Sequence, residues 1–237
     1  MNTENNHSPL QAKLQANAEE KRAKYLEQGF GTSMDKNRSL MRFMSRQEFA
    51  KIHDYTKPFE TTSGVAGSIT DCGVYYGKCL MTYATLSAAL EPYNCQCKVY
   101  GFDTFEGNAS YDDLDSKSSK DRWVDRQKYT YDASTYEDLM HCIGIFDEDR
   151  PFNHLPKVEL IKGDLVETAK SFILERPESL LRITHLPVNL YKTTRAALES
   201  FFPRLFGGGL VAVHGLNNTS GVTKALLEIL EAANVKH

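Results

Sequence analysis

The 237-residue chain predicts an α/β domain built on a parallel sheet, and three observations support that expectation. From Gly67 onward, short β-branched and aromatic runs alternate with amphipathic helical stretches. Those runs end repeatedly in Gly, Asp or His, the residues that turn a strand toward a ligand. The composition, 41% hydrophobic and 25% charged, is that of a globular chain with material for one good core.

The first element is helical. Ser8-Pro9-Leu10-Gln11 reads as an N-cap, a first-turn proline and a capping-box glutamine. The helix runs to about Gln28 with a thin apolar stripe of Leu10, Leu14, Tyr25 and Leu26, which suits an arm or a packing surface rather than a core element. After the break at Gly29–Thr32, Leu40, Phe43 and Met44 recur at helical spacing, extended by Phe49 and Ile52 toward Asp54. Residues 1–66 therefore form a helical N-terminal extension, and 67–237 the α/β domain.

Strands follow in order. Ser68–Val74 is the first, and Leu80–Leu90 the helix after it, ended by Pro92. Lys98–Asp103 is the second strand, Val158–Asp164 the third, and Leu181–Leu190 the fourth. Thr194 opens a helix carrying Leu198, Phe201, Phe202 and Leu205, stopped by Gly207-Gly208-Gly209. Leu210–His214 is a fifth strand and Val222–Ala233 a last helix. Right-handed crossovers make this a Rossmann-like, doubly wound parallel sheet.

One connection is too long for a simple crossover. Residues 111–149 hold eleven acids against five bases, with helical spacing at Tyr136, Leu139, Met140 and Ile143. This acidic insertion is either a solvated decoration or a lid over the strand ends. The formal net charge of −3 offers no global field for nucleic acid or anionic lipid. No apolar run approaches the ~20 residues of a membrane span, and the polar Met1–Gln11 lacks a signal-peptide core. Five cysteines, with only a lone C-x-C at Cys95 and Cys97, fit neither a disulfide framework nor structural zinc. The expectation is a soluble, cytoplasmic protein with reduced thiols.

In a parallel sheet, ligands sit beyond the carboxyl ends of the strands. Gly73 and Gly77 permit an open turn in which backbone N–H groups face a ligand. Asp103 ends the second strand where a ribose diol would lie, and Gly163-Asp164 ends the third. Together these suit an adenosine-bearing cofactor. A nicotinamide dinucleotide would want G-x-G-x-x-G and an acid ~20 residues on. Here the third glycine is missing, and Asp103 lies 26 residues past Gly77. S-Adenosylmethionine has no pyrophosphate and needs one open turn with a carboxylate, Asp71, near its ammonium, so it is favoured over NAD.

Asp71-Cys72-Gly73-Val74-Tyr75-Tyr76-Gly77, Val99–Gly107 with its F-D-T-F-E-G string, Leu160–Asp164, and Asn189–Thr194 followed by Ala197-Leu198-Glu199 resemble the macrocin O-methyltransferase family. The resemblance implies a class I methyltransferase acting on a hydroxyl of a sugar, glycan or natural-product intermediate. It implies that Asp71, Gly73 and Tyr75 meet the methionine part of the cofactor, with Val74 and Gly77 also in the cofactor-binding set. Asp103 and Thr104 would then bind the ribose, and Asp164 with Leu165 border the adenine, with Phe105 and Gly163 also in the cofactor-binding set. Where the family usually places metal-binding acids, this chain has Pro187, Asn189, His214 and Gly215. A hard cation such as Mg²⁺ wants several oxygens, preferably anionic, so no metal is expected here. The chain ends at His237, where such folds normally add an antiparallel strand pair; the sheet should stop at its fifth strand.

Without a metal, removing the acceptor's proton falls to a general base. His214 and His185 stand at the ends of adjacent expected strands, and an imidazole with a reference pKa of about 6.5 suits that work. Each could instead be a hydrogen-bonded structural residue. A catalytically inactive, methyltransferase-like binding protein is the alternative, since lost metal acids are what it would show. The expected partner is a small-molecule or glycan acceptor, with no nucleic acid and no membrane; polar N-terminal helices and a bare sheet edge leave room for a homodimer.

Overall fold

The computed structural model describes residues 9–29, 31–107, 111–116, 132, 134–217 and 219–235. Ser8, the expected first N-cap, and residues 117–131 and 133 of the acidic insertion lie outside the described residues. The chain divides into two compact units, Met1–Lys51 and Ile52–His237, so the division falls inside a helix rather than at the composition shift near Gly67.

The first unit is helical. α1 (Pro9–Gln28) begins on its proline, and Leu10, Leu14, Tyr25 and Leu26 of its thin stripe are exposed. α2 (Ser33–Arg38) starts from a capping box in which Thr32 Oγ1 accepts from the Asp35 N–H while Asp35 accepts from the Thr32 N–H. α3 (Arg46–Thr61) spans the division between the units and carries Pro58 within it.

The second unit holds the sheet. Its strands are β1 (Ser68–Cys72), β2 (Val99–Asp103), β3 (Val158–Lys162), β4 (Leu181–Leu186) and β5 (Leu205–Val213). Their order is β3-β2-β1-β4-β5, every pair parallel. The chain winds outward from β1 through β2 to β3, then crosses back to β4 and β5. The switch in direction therefore lies between β1 and β4, where a doubly wound sheet opens its crevice.

The helices of this unit are α4 (Lys78–Leu90), α5 (Thr135–Glu148), α6 (Leu165–Glu175), α7 (Tyr191–Phe201) and α8 (Ser220–Ala232). They cover both faces, because strand side chains alternate between two cores. Ile69, Val99 and Ile183 pack with Phe59 of α3, Leu80, Tyr83 and Ala84 of α4, and Leu139 and Ile143 of α5. Cys72, Tyr100, Phe102 and Leu186 pack with Ala169 and Phe172 of α6 and with Ala197, Leu198 and Phe201 of α7. Buried Arg182 anchors the lower end of the first core, 2.7 Å from Glu91 and 4.5 Å from the centre of the Phe59 ring.

The expected fold class holds, with local shifts. β4 stops at Leu186, because Pro187 has no N–H to continue the ladder. β5 starts at Leu205, so Gly207-Gly208-Gly209, expected as a helix stop, runs along the strand instead. No described helix is long and apolar enough to cross a membrane.

Gly101 is where β2 crosses the tightest packing. A Cβ there would lie 2.8 Å from Val74 Cγ2, 2.9 Å from Leu80 Cδ1 and 3.0 Å from Leu160 Cδ2. Gly101→Ala is therefore expected to destabilise the α/β unit by about 1–3 kcal/mol through overpacking, read as a lower urea midpoint at unchanged slope.

Candidate active site

The carboxyl ends of β1 and β2 are stitched together by one side chain. Asp103 accepts from the Tyr75 N–H on one oxygen and from the Phe105 N–H on the other, both at 2.9 Å. Tyr75 (φ 52°) and Phe105 (φ 55°) both sit in the left-handed region, a strained state for a bulky residue that surrounding structure must enforce. Gly73 (φ 118°) turns the chain out of β1 so closely under the next loop that a Cβ would lie 3.0 Å from Val188 Cγ1. Gly77 (φ 81°) then starts α4 with no side-chain cap on the helix N-terminus. Val74 and Phe105 are buried in the core, whereas Tyr75 and Tyr76 are exposed beside the turn.

The end of β3 is built differently. Gly163 (φ 142°) bends the chain, its N–H donating to the Asp103 carbonyl at 2.9 Å, and Asp164 caps α6 by accepting from the Val166 N–H at 3.0 Å. Leu165 is buried against the second core. Thr104 closes its own loop, donating to the Gly107 carbonyl at 2.6 Å. The expected cofactor residues on β1, β2 and β3 thus lie along one edge of the sheet. They fit an adenosyl group: a glycine-flanked turn into a helix N-terminus with no side-chain cap, and a half-buried carboxylate at the neighbouring strand end.

Asp71 takes a different position. It is fully buried, and its Oδ1 lies 2.7 Å from His185 Nδ1 on the paired strand β4. His185, also buried, reaches His214 with its other nitrogen, Nε2 to Nε2 at 3.0 Å. His214 follows β5 and is exposed; its N–H donates to the Leu186 carbonyl, holding it beside β4. Both expected catalytic histidines are thus brought together. His185 has both ring nitrogens engaged inside the protein, and His214 is the one that reaches the surface.

Three residues missed by sequence reasoning complete the cluster. Cys79 Sγ lies 3.0 Å from His185 Nδ1; Tyr55 packs edge-on to His185 and stacked with His214; Tyr83 packs edge-on to His185. Burial, reinforced by Asp71, pushes the Cys79 thiol well above its ordinary range. Burial likewise raises the Tyr55 and Tyr83 phenols, with Cys79 and Asp71 adding to it. All three stay neutral around the histidines at neutral pH.

The positions where the resemblance places metal acids also come together. A Cβ on Gly215 would lie 3.0 Å from Asn189 Oδ1. The set there offers one neutral amide oxygen, one imidazole and no carboxylate, which does not fit a divalent hard cation. Among the described residues, one trio of potential ligand atoms lies within 4.8 Å of one another: Asp71, Cys79 and His185.

A short stretch of the insertion is held at the strand ends. Asp115, buried, accepts from the Tyr191 N–H at 2.8 Å and so caps α7, whose own N-cap Leu190 has no side chain to do it. Lys192 pairs with Asp112 at 3.4 Å. From α5, Leu139 lies where a Cβ on Gly77 would be, 2.6 Å from its Cδ1. The insertion thus packs against both the first turn and the start of α7.

The macrocin O-methyltransferase (TylF) family model matches residues 3–237. The chain belongs to this family. Among solved structures it is similar to CalS11, a calicheamicin methyltransferase, with a TM-score of 0.86 at 24% identity over 95% of this chain and 86% of that one. Apo CalS11, described as a TDP-rhamnose 3'-O-methyltransferase of calicheamicin biosynthesis, aligns with a TM-score of 0.79 at 23% identity over 95% and 87%. The O-methyltransferase NovP aligns with a TM-score of 0.61 at 16% identity over 78% and 72%. No protein of curated function matches the sequence. As a member of the macrocin O-methyltransferase family, the chain is an O-methyltransferase.

The thiols give a direct test of this packing. Cys95 and Cys142 are exposed, while Cys72, Cys79 and Cys97 are buried with raised thiol pKa values. Alkylation at pH 8 is expected to modify the first two and spare the other three until the protein is denatured, as peptide mapping would read. Because the native thiols hold their protons more tightly than the unfolded chain, stability is full below the ordinary thiol value of 9.0 and falls as pH rises past it. Cys79→Ala should flatten that alkaline fall.

Proposed function

We propose that this protein is an S-adenosylmethionine-dependent methyltransferase acting on a hydroxyl of a sugar, glycan or related natural-product intermediate, with His214 as general base and no divalent metal. The single observation carrying it is the exposed His214 imidazole, seated over a buried histidine–carboxylate pair at the strand ends of a chain of this family. The likeness to CalS11, a TDP-rhamnose 3'-O-methyltransferase of calicheamicin biosynthesis, supports a hydroxylated sugar as the class of acceptor.

When bound, S-adenosylmethionine supplies a methyl group on a sulfonium: the acceptor oxygen gains the carbon, the sulfur keeps the bonding pair, and the hydroxyl proton must leave. The chain's own residues do the rest. The turn Gly73–Gly77 and the start of α4 offer backbone N–H groups to the amino-acid end. Asp103, held by the Tyr75 and Phe105 N–H groups at the end of β2, is the carboxylate placed to meet a ribose diol. Asp164 and Leu165 border the base. His214 takes the acceptor's proton, a task that falls to a side chain where Pro187, Asn189 and Gly215 replace the metal acids.

Calorimetric titration is expected to show binding of S-adenosylhomocysteine and none of NAD. Asp103→Asn should weaken the former about tenfold or more, the loss of one charge-assisted hydrogen bond. Radiolabelled methyl transfer to a panel of hydroxylated and nucleotide-linked sugars should persist in EDTA and fall about 10²–10⁴-fold in His214→Ala. Abolition by EDTA, or full turnover in His214→Ala, would overturn the reading.

A further inference from the structure

We propose that the amino-terminal end of the sheet carries a site for a small monovalent anion such as chloride, gripped by one edge of the buried Arg182 guanidinium. This site lies at the opposite strand ends from the catalytic crevice, and it does not depend on the function proposed above.

Arg182 is the second residue of β4 and is wholly enclosed. A guanidinium has five N–H donors and no acceptor, and it keeps its charge even when buried. Its Nη1 donates to Glu91 Oε1 at 2.7 Å, and its Cζ lies 4.5 Å from the centre of the Phe59 ring. Nε and Nη2, which direct N–H groups side by side along one edge, are buried with no hydrogen-bond partner among the described residues. That edge is the one that grips an acceptor through two parallel hydrogen bonds. Buried charged donors are among the most costly groups for a fold to leave unmatched.

The charge around this edge is positive. Lys157, buried in the lead-in to β3, donates to the Asn94 carbonyl at 2.8 Å rather than to a carboxylate. Its charge acts on both Glu91 and Arg182. Arg150, the next cation, is matched by Asp147 at 2.6 Å. Burial raises the Cys97 thiol even with Arg182 and Lys157 opposing, so no thiolate supplies negative charge at neutral pH. Arg182 and Lys157 against Glu91 alone leave one positive charge in excess, the amount a monovalent anion cancels.

An anion answers this edge better than a water molecule does. Water can accept from Nε and Nη2, but its own two protons then need acceptors. The groups at hand are the donors of Arg182 and Lys157, and Glu91 Oε1 is already engaged. Ser87, one turn before Glu91 on α4, adds a buried hydroxyl with no partner, which can rotate to donate. The flanking Leu181 and Ile183 are completely buried, and a close-packed interior admits a single small ion more readily than a polyatomic one. Entry is past Glu91, whose side chain is 18% exposed against 1% for Arg182.

The test uses the full chain freed of chloride by dialysis. Thermal unfolding is followed while sodium gluconate is exchanged for sodium chloride at constant ionic strength, which holds screening fixed. With a Kd of about 10 mM, the midpoint should rise by about 4–8 °C between ~1 mM and ~300 mM chloride. Glu91→Gln keeps an acceptor for Nη1 but removes the competing charge, so chloride should bind about tenfold more tightly. Arg182→Met should lose the dependence; if that variant does not fold, the wild type and Glu91→Gln decide. Crystals soaked in bromide should show anomalous density within hydrogen-bond reach of Arg182 Nε and Nη2. A wild-type midpoint indifferent to chloride, or an affinity unchanged in Glu91→Gln, would overturn the proposal. So would an ordered water on the Arg182 edge, or bromide confined to the surface as an adventitious ion only.

Discussion

The contact on which the site depends is the one between Asp71 and His185. It joins β1 to β4 across the point where the sheet reverses its winding, and both partners are buried. Interring a carboxylate without a partner costs several kcal/mol, so the fold must hold a donor against it. The parallel register does so by setting Asp71 directly opposite His185. Everything else in the cluster follows from that pairing. α4 brings Cys79 and Tyr83 over it, the later part of α3 brings Tyr55, and β5 delivers His214 to the outer nitrogen. A polar pair that would weaken an apolar core thereby fixes the geometry at the mouth of the crevice.

Much of this was legible in the sequence, for a physical reason. Strand ends that serve a ligand need glycine to turn and an acid to accept, and Gly73, Gly77, Asp103, Gly163 and Asp164 mark them in order. What was not legible depends on long-range packing. The buried face of α4 is Cys79, Leu80, Tyr83, Ala84 and Ser87, while its last residue, Leu90, is exposed. A partly polar buried face defeats a reading based on hydrophobic spacing alone. The helix α6 was passed over, although Asp164 caps it, because that acid was read only as a strand end. The run Gly207-Gly208-Gly209 looked like a terminator, yet β5 is an edge strand, where missing side chains leave no hole in a core.

The acidic insertion shows how one residue can serve two purposes. Its excess of acids suggests a solvated surface, and most of Tyr111–Asp149 cannot be read more closely from composition. Asp115 departs from that pattern. It is buried, and it spends one oxygen on the Tyr191 N–H and the other on the Asp112 N–H. An acid at a helix N-terminus gains from the backbone dipole as well as from the hydrogen bond. The start of α7, which follows the loop carrying Pro187 and Asn189, is thus capped by a distant part of the chain. Folding of the insertion stem and placement of that loop are energetically one event.

That coupling bears on how a family built around metal acids can tolerate their loss. A divalent ion does two jobs at such a site: it acidifies the hydroxyl, and it locks the loops that carry its ligands. In this chain protein contacts hold the loops at those positions: Asp115 caps α7, and the Leu186 carbonyl accepts from the His214 N–H. On the function proposed above, the first falls to the His214 imidazole, a group whose reference pKa of about 6.5 suits proton transfer near neutral pH.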